Sequence, residues 1–317
     1  GLGRSWGRRC HLARLALGGH AGAGGIVVSQ VRILVTNDDG VHAPGLEALV
    51  RSLTLWAEPR GHQLVVVAPL ANYSGSSASV GTVYEREAVG ARRVRIAGAE
   101  SVPTFGVDAP PALTVVIGLF GAFGPVPDVV VSGINLGVNV GRSILHSGTV
   151  GAALTASQHG FRTLAVSLRS RPVPHQWTTA AHLTERILPV VAVAPPRTIL
   201  NLNVPSVPTS ELRGVVSGRI SDAGIVKGAV AHMREDGSGS VKLELGTAVP
   251  TSGDTSGESP DEDAALVGAG YASLTSLHGV GEDIGADAAA TLAAAIKAAL
   301  PLLRTASSAD SVQEQRR

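Results

Sequence analysis

Strand-length apolar runs closed by polar, glycine-containing turns alternate along this chain with runs of helical spacing. Val31–Thr36 is the first such run, and it ends at once in Asn37-Asp38-Asp39-Gly40. Val41–Gly45 reads as a loop, after which Leu46, Leu49, Val50 and Leu53 recur at helical spacing. Gln63–Pro69 predicts a second buried strand, ending in the small-residue loop Leu70–Ser77. Residues 80–108 alternate enough for short strands, Arg93–Ile96 among them, and a helix is expected from Pro111 to about Phe120. Asp128–Ser132 predicts a third buried strand. It opens into Gly133–Gly141, where glycines fall every fourth residue with Asn135 and Asn139 between them. Ser147-Gly148-Thr149 precedes a helical run, Val150–His159. A strand Thr163–Leu168, a helix from about Thr178 to Val193 and a strand Thr198–Val204 complete the series. This order predicts a Rossmann-like, doubly wound α/β fold, its mostly parallel sheet covered by helices on both faces.

Past Pro205 the pattern changes. Leu212–Ile220 and Val241–Leu245 read as paired strands around the turn Glu235–Gly239. Thr251–Asp263 reads as a flexible loop, Tyr271–Leu277 as a strand, and Ala286–Leu300 as an Ala-rich helix stopped by Pro301. The expected organisation is a leader at residues 1–30 without structure, an α/β core at 31–210, and an extension at 211–317 holding a hairpin, strand, helix and polar tail. This last part is expected to pack on a neighbouring subunit.

Composition narrows the function classes. The chain has 317 residues, 44% of them apolar, enough for a sizeable core, while aromatics at 3% give no platform for stacking nucleic-acid bases. A net charge of +1 argues against a polyanion-binding surface, so no nucleic-acid duplex is expected as a partner. Arg4, Arg8, Arg9 and Arg14 all fall in the leader, as does the single cysteine, Cys10. Disulfides and cysteine-ligated metals are therefore excluded from the core, and a cytoplasmic location is expected. No apolar run reaches membrane-spanning length.

If the three apolar strands lie parallel, their carboxyl ends share one rim, where ligands bind in open α/β sheets. Asp38, Asp39, Ser74 and Asn135 then converge as an all-oxygen set bearing two negative charges. Such a set suits Mg, Mn or Ca rather than Zn. Taken singly, each residue has a plainer explanation. Asn-Asp-Asp-Gly is an ordinary capping turn, Ser74 a loop hydroxyl, and Asn135 a residue tolerant of positive φ. Their common place at strand ends is what those explanations leave out. Ser147-Gly148-Thr149 offers free N–H groups and hydroxyls at a helix start, which suits phosphate equally with simple capping. His42 and His146 are weaker candidates for proton transfer. A glycine-rich dinucleotide loop, a P-loop and a Gly-x-Ser-x-Gly elbow are all missing.

Val31–Gly45, Val67–Gly75 and Asp128–Ala153, extended by Leu200–Pro205 and Asp263–Leu277, resemble the SurE (stationary-phase survival protein) family of 5′/3′-nucleotidases. The resemblance implies a metal-dependent phosphatase acting on nucleoside monophosphates. It implies one divalent ion, Mg or Mn, on Asp38, Asp39, Ser74 and Asn135, with Asp38 and Asp39 catalytic. Asn139, Ser147, Gly148 and Thr149 are the expected phosphate contacts. It also implies a homodimer or homotetramer formed through about 212–247 and 286–300. Tyr73, Leu70 and Asp108–Leu113 depart from the family pattern and bear on substrate preference. An aspartyl-phosphate phosphatase and a non-catalytic nucleotide or metal sensor are the alternatives.

Overall fold

The structure, a computed structural model, describes residues 30–85, 87–222, 224, 226–234, 238–245 and 259–280. Its main sheet has nine strands. In chain order these are β1 (Arg32–Thr36), β2 (Gln63–Pro69), β3 (Ala91–Val94), β4 (Thr104–Val107), β5 (Val129–Leu136), β6 (Arg162–Leu168), β7 (Ile199–Val204), β8 (Val215–Ser217) and, after a separate hairpin, β11 (Ala272–Leu277). They lie in the order β3-β4-β2-β1-β5-β6-β7-β11-β8. The stretch β4-β2-β1-β5-β6-β7 is parallel throughout, whereas β3 and β11 run antiparallel to β4 and β7. The expected doubly wound, mostly parallel α/β architecture is the one observed.

Central strands are buried on both faces, so their sequences are continuous apolar runs instead of alternating ones. Leu34, Val35, Val66, Val67 and Val129–Val131 are all fully buried. On one face, helix α1 (Pro44–Ala57) and helix α4 (Trp177–Val193) bring Leu46, Leu49, Val50, Leu53, Leu183 and Leu188 against the sheet. On the other, helix α2 (Pro111–Leu119) and helix α3 (Gly148–Gln158) cover Leu34, Val67, Val130 and Ala165. Pro44 and Pro111 stand in the first turns of α1 and α2, where a missing N–H costs nothing.

The sheet continues past residue 210, because β11 pairs with β7 and β8 then pairs with β11. A six-residue helix α5 (Asp263–Gly268) precedes β11, where the sequence suggested only the end of a loop. Strand pairing in the hairpin also differs from expectation. The partner of β10 (Gly239–Leu245) is β9 (Val226–Met233), not residues 212–220. A short turn joins neighbouring segments, and 226–233 is the segment next to it. Residues 235–237 of the expected turn, 251–258 of the expected loop, the leader through residue 29, the helix expected at 286–300 and the polar tail lie outside the described residues. Among the described residues, no helix is long and apolar enough to cross a membrane.

α3 docks closely on the loop after β2. A Cβ at Gly151 would lie 2.1 Å from the Ser77 carbonyl oxygen and 2.3 Å from its carbon. Alanine in a helix ordinarily gains about 1 kcal/mol over glycine. Here a backbone clash of overpacking type, costing about 1–3 kcal/mol, opposes that gain. Gly151→Ala is therefore expected to lower stability, read as a lower urea unfolding midpoint.

Candidate functional site

Where β1 stops decides the geometry of the rim. Thr36 pairs with Ser132 of β5, so Asn37–Gly40 leave the sheet beside the end of β5. The buried Asn37 donates from Nδ2 to the Gly40 carbonyl at 2.9 Å and closes the turn that carries both carboxylates. The pairing of β5 with β6 shifts register between Ser132 and Asn135, an irregularity of the kind found beside functional sites.

Asp38 is only 3% exposed. The Thr149 hydroxyl donates to its Oδ1, and the Thr149 N–H also bonds this carboxyl. Helix α3 thus meets Asp38 end-on, with the positive pole of its dipole toward the carboxylate. Contact is so close that a Cβ at Gly148 would lie 2.7 Å from Asp38 Cβ and 2.8 Å from its Oδ2. From the other side, the Tyr73 N–H donates to the Asp38 carbonyl at 2.7 Å.

Asp39 is half-buried and bridges two loops. Its Oδ2 accepts the Leu136 N–H at 3.2 Å and its Oδ1 the Asn72 amide at 3.4 Å, while the Ser74 hydroxyl also hydrogen-bonds it. Asn72 Oδ1 accepts the Ser74 N–H at 2.7 Å, an Asx turn that holds this loop in shape.

Burial pushes the Asp38 carboxyl above its ordinary pKa; the Thr149 hydroxyl opposes this and the Asp39 charge adds to it. Burial raises Asp39 as well, against the Leu136 N–H and the Ser74 hydroxyl. Neither carboxylate has an ion-pair partner among the described residues. Nor do three His, Cys, Asp or Glu side chains among them come together so as to hold a metal ion. The donors are oxygens, two of them charged and short of compensation, a set that fits a hard divalent cation completed by water.

The rim brings together Asp38, Asp39, Ser74, the end of β5 and the start of α3. Asn135 is half-buried there, its Nδ2 donating to the Gly137 carbonyl at 2.6 Å, which leaves Oδ1 as the free end of the amide. Ser147 caps α3 by accepting the Val150 N–H at 3.1 Å. Asn139 is tied into the sheet: its Nδ2 donates to Ser167 Oγ at 2.8 Å. His42 and His146 are exposed. Asn37, Asn72 and the Thr149–Asp38 bond did not stand out in the sequence. An Asn two residues before Ser74 was the available sign of an Asx turn.

The family described as Survival protein SurE matches residues 33–225. The chain belongs to this family. A 5′/3′-nucleotidase SurE of Erwinia tasmaniensis is 36% identical over 250 residues, covering 78% of this chain and 90% of that protein. A 5′-nucleotidase SurE of Stutzerimonas stutzeri is 35% identical over 252 residues, covering 78% and 92%. The crystal structure of the SurE protein from Aquifex aeolicus is similar at a TM-score of 0.63 and 28% identity, over 78% of this chain and 93% of that one.

Raised carboxyl pKa values have a stability consequence. The folded state holds these protons to higher pH than the unfolded state, so it binds more protons in that interval. Their effect on metal-free stability is therefore least adverse at low pH. It worsens as pH rises from the ordinary carboxylate range through the raised values. Asp38→Asn is expected to flatten this fall, as measured by urea unfolding across a pH series in EDTA; equal slopes in wild type and variant would contradict the assignment.

Proposed function

We propose that this member of a nucleotidase family is a metal-dependent phosphomonoesterase. Its substrates are nucleoside 5′-monophosphates, with 3′-monophosphates as a second class, cleaved to nucleoside and phosphate. The observation that carries the reading is the pair of desolvated, uncompensated carboxylates at the sheet rim, met end-on by a helix N-terminus. The nucleotidase names of the relatives support it from outside the structure.

Asp38 and Asp39, with Ser74 and Asn135, would hold one Mg or Mn ion. Such an ion, when bound, polarises a phosphoryl oxygen and offsets the charge that develops on it. Thr149 holds Asp38 in a single orientation, since both its hydroxyl and its N–H are engaged there. Asp39, the more exposed carboxylate, orients the attacking water by accepting one of its hydrogens. Ser147 still has its hydroxyl hydrogen after capping α3, and it donates to a phosphate oxygen together with the Gly148 N–H. In the assembled protein, a homodimer or homotetramer, hairpin β9–β10 packs on another copy. Its exposed Val230, Met233, Val241 and Leu243 support this.

The test is phosphate release from a panel of nucleoside monophosphates with Mg, Mn or EDTA. Activity is expected with metal and not with chelator. Asp38→Asn and Asp39→Asn are each expected to lower kcat/KM at least about 100-fold while the fold is kept. Nucleotide binding without any phosphate release would place the chain among non-catalytic sensors instead. For the assembly, Val241→Asp with Leu243→Asp is expected to reduce the oligomer seen by size-exclusion chromatography.

A further inference from the structure

The segment from β5 to α3 is pinned by three buried side chains that the chemistry above does not use. Asp263, at the start of α5, is fully buried. Its Oδ2 accepts the Gly141 N–H at 3.0 Å, and its Oδ1 accepts the N–H groups of Ser221 at 3.0 Å and Ala264 at 2.8 Å. On β7, Asn203 grips the backbone of Asn139 twice: its Oδ1 accepts the N–H at 2.7 Å and its Nδ2 donates to the carbonyl at 3.0 Å. Asn201 donates to the same carbonyl at 2.8 Å. Gly141 then opens a short 3-10 turn through His146 that ends at Ser147, the cap of α3. Little slack separates these tethers from the Ser147 and Gly148 donors.

A buried carboxylate is a poor way to fill space, because apolar residues of similar volume usually stabilise as well or better. What Asp263 offers and an apolar residue cannot is a fixed acceptor for N–H groups from three chain segments. We propose that Asp263 and Asn203 are positioning residues of the phosphate site. They set the position of residues 139–149 over the rim and thereby seat Ser147 and Gly148 against Asp38. This rests on the reading of those two residues as the phosphate donors. Asp263 also joins that segment to Ser221, just before the chain leaves for β9. The exposed pair Arg142–Asp222, at 3.4 Å, links the same two regions through solvent-screened charges and serves as a control.

The experiment compares Asp263→Asn, Asn203→Ala and the control Asp222→Asn with wild type. All are measured well below their unfolding temperatures, so lost stability alone leaves the kinetics unmoved. Both buried variants are expected to lose kcat/KM for a nucleoside monophosphate by about 10-fold or more, as misplaced binding groups do. Competitive inhibition by inorganic phosphate should weaken in parallel, and amide hydrogen exchange at 137–149 should accelerate but not in β1 and β2. Asp222→Asn should match wild type throughout. Unchanged kcat/KM and phosphate inhibition in the folded buried variants overturn the proposal. If Asp263→Asn fails to fold, Asn203→Ala decides. If wild type itself releases no phosphate, the nucleotidase reading falls separately, and the exchange at 137–149 still decides the tether.

Discussion

Two carboxylates on consecutive residues, both partly or fully withdrawn from water and neither facing a positive side chain among the described residues, set the terms for everything around them. Charges in that position are costly, and hydrogen bonds relieve only part of the cost. The fold supplies what neutral groups can give: a helix start and the Thr149 hydroxyl for Asp38, and a strand-end N–H with amide and hydroxyl donors for Asp39. None of these carries a formal charge. The remaining imbalance is one of negative charge, and the metal and phosphate roles proposed for this rim rest on it.

Geometry at the rim is achieved by removing atoms as much as by placing them. Without a side chain at Gly148, α3 reaches Asp38; without one at Gly151, the same helix reaches the Ser77 loop. The sheet brings three loops to a common edge, but those two absences let the helix approach close enough to touch a carboxylate.

The architecture was legible in the chain because parallel strands buried on both faces advertise themselves as unbroken Val, Ile and Leu runs. Convergence of the strand ends followed from topology alone. Less visible was everything decided by contacts far apart in sequence. Asn139 lies in a glycine-rich loop with no periodicity, and its side chain is directed by Ser167 and its backbone by Asn203, neither of them near it in the chain. Thr149 read equally well as a cap or an anion contact; that its partner is Asp38 depends on how α3 docks. The first strand of the hairpin is hard to see in the chain because Val226–Met233, diluted by Lys227, Gly228 and His232, lacks the apolar contrast of a core strand. β8, with three residues, was too short to be told from its flanks.

The bonds that shape the rim join residues 97 and 111 positions apart, Leu136 to Asp39 and Thr149 to Asp38. No local piece of the chain contains a working constellation, and a polypeptide emerging from the ribosome has no such centre until residues beyond 149 have joined the sheet. The arrangement at the rim is thus a property of the finished tertiary structure, and partly made chains do not hold it.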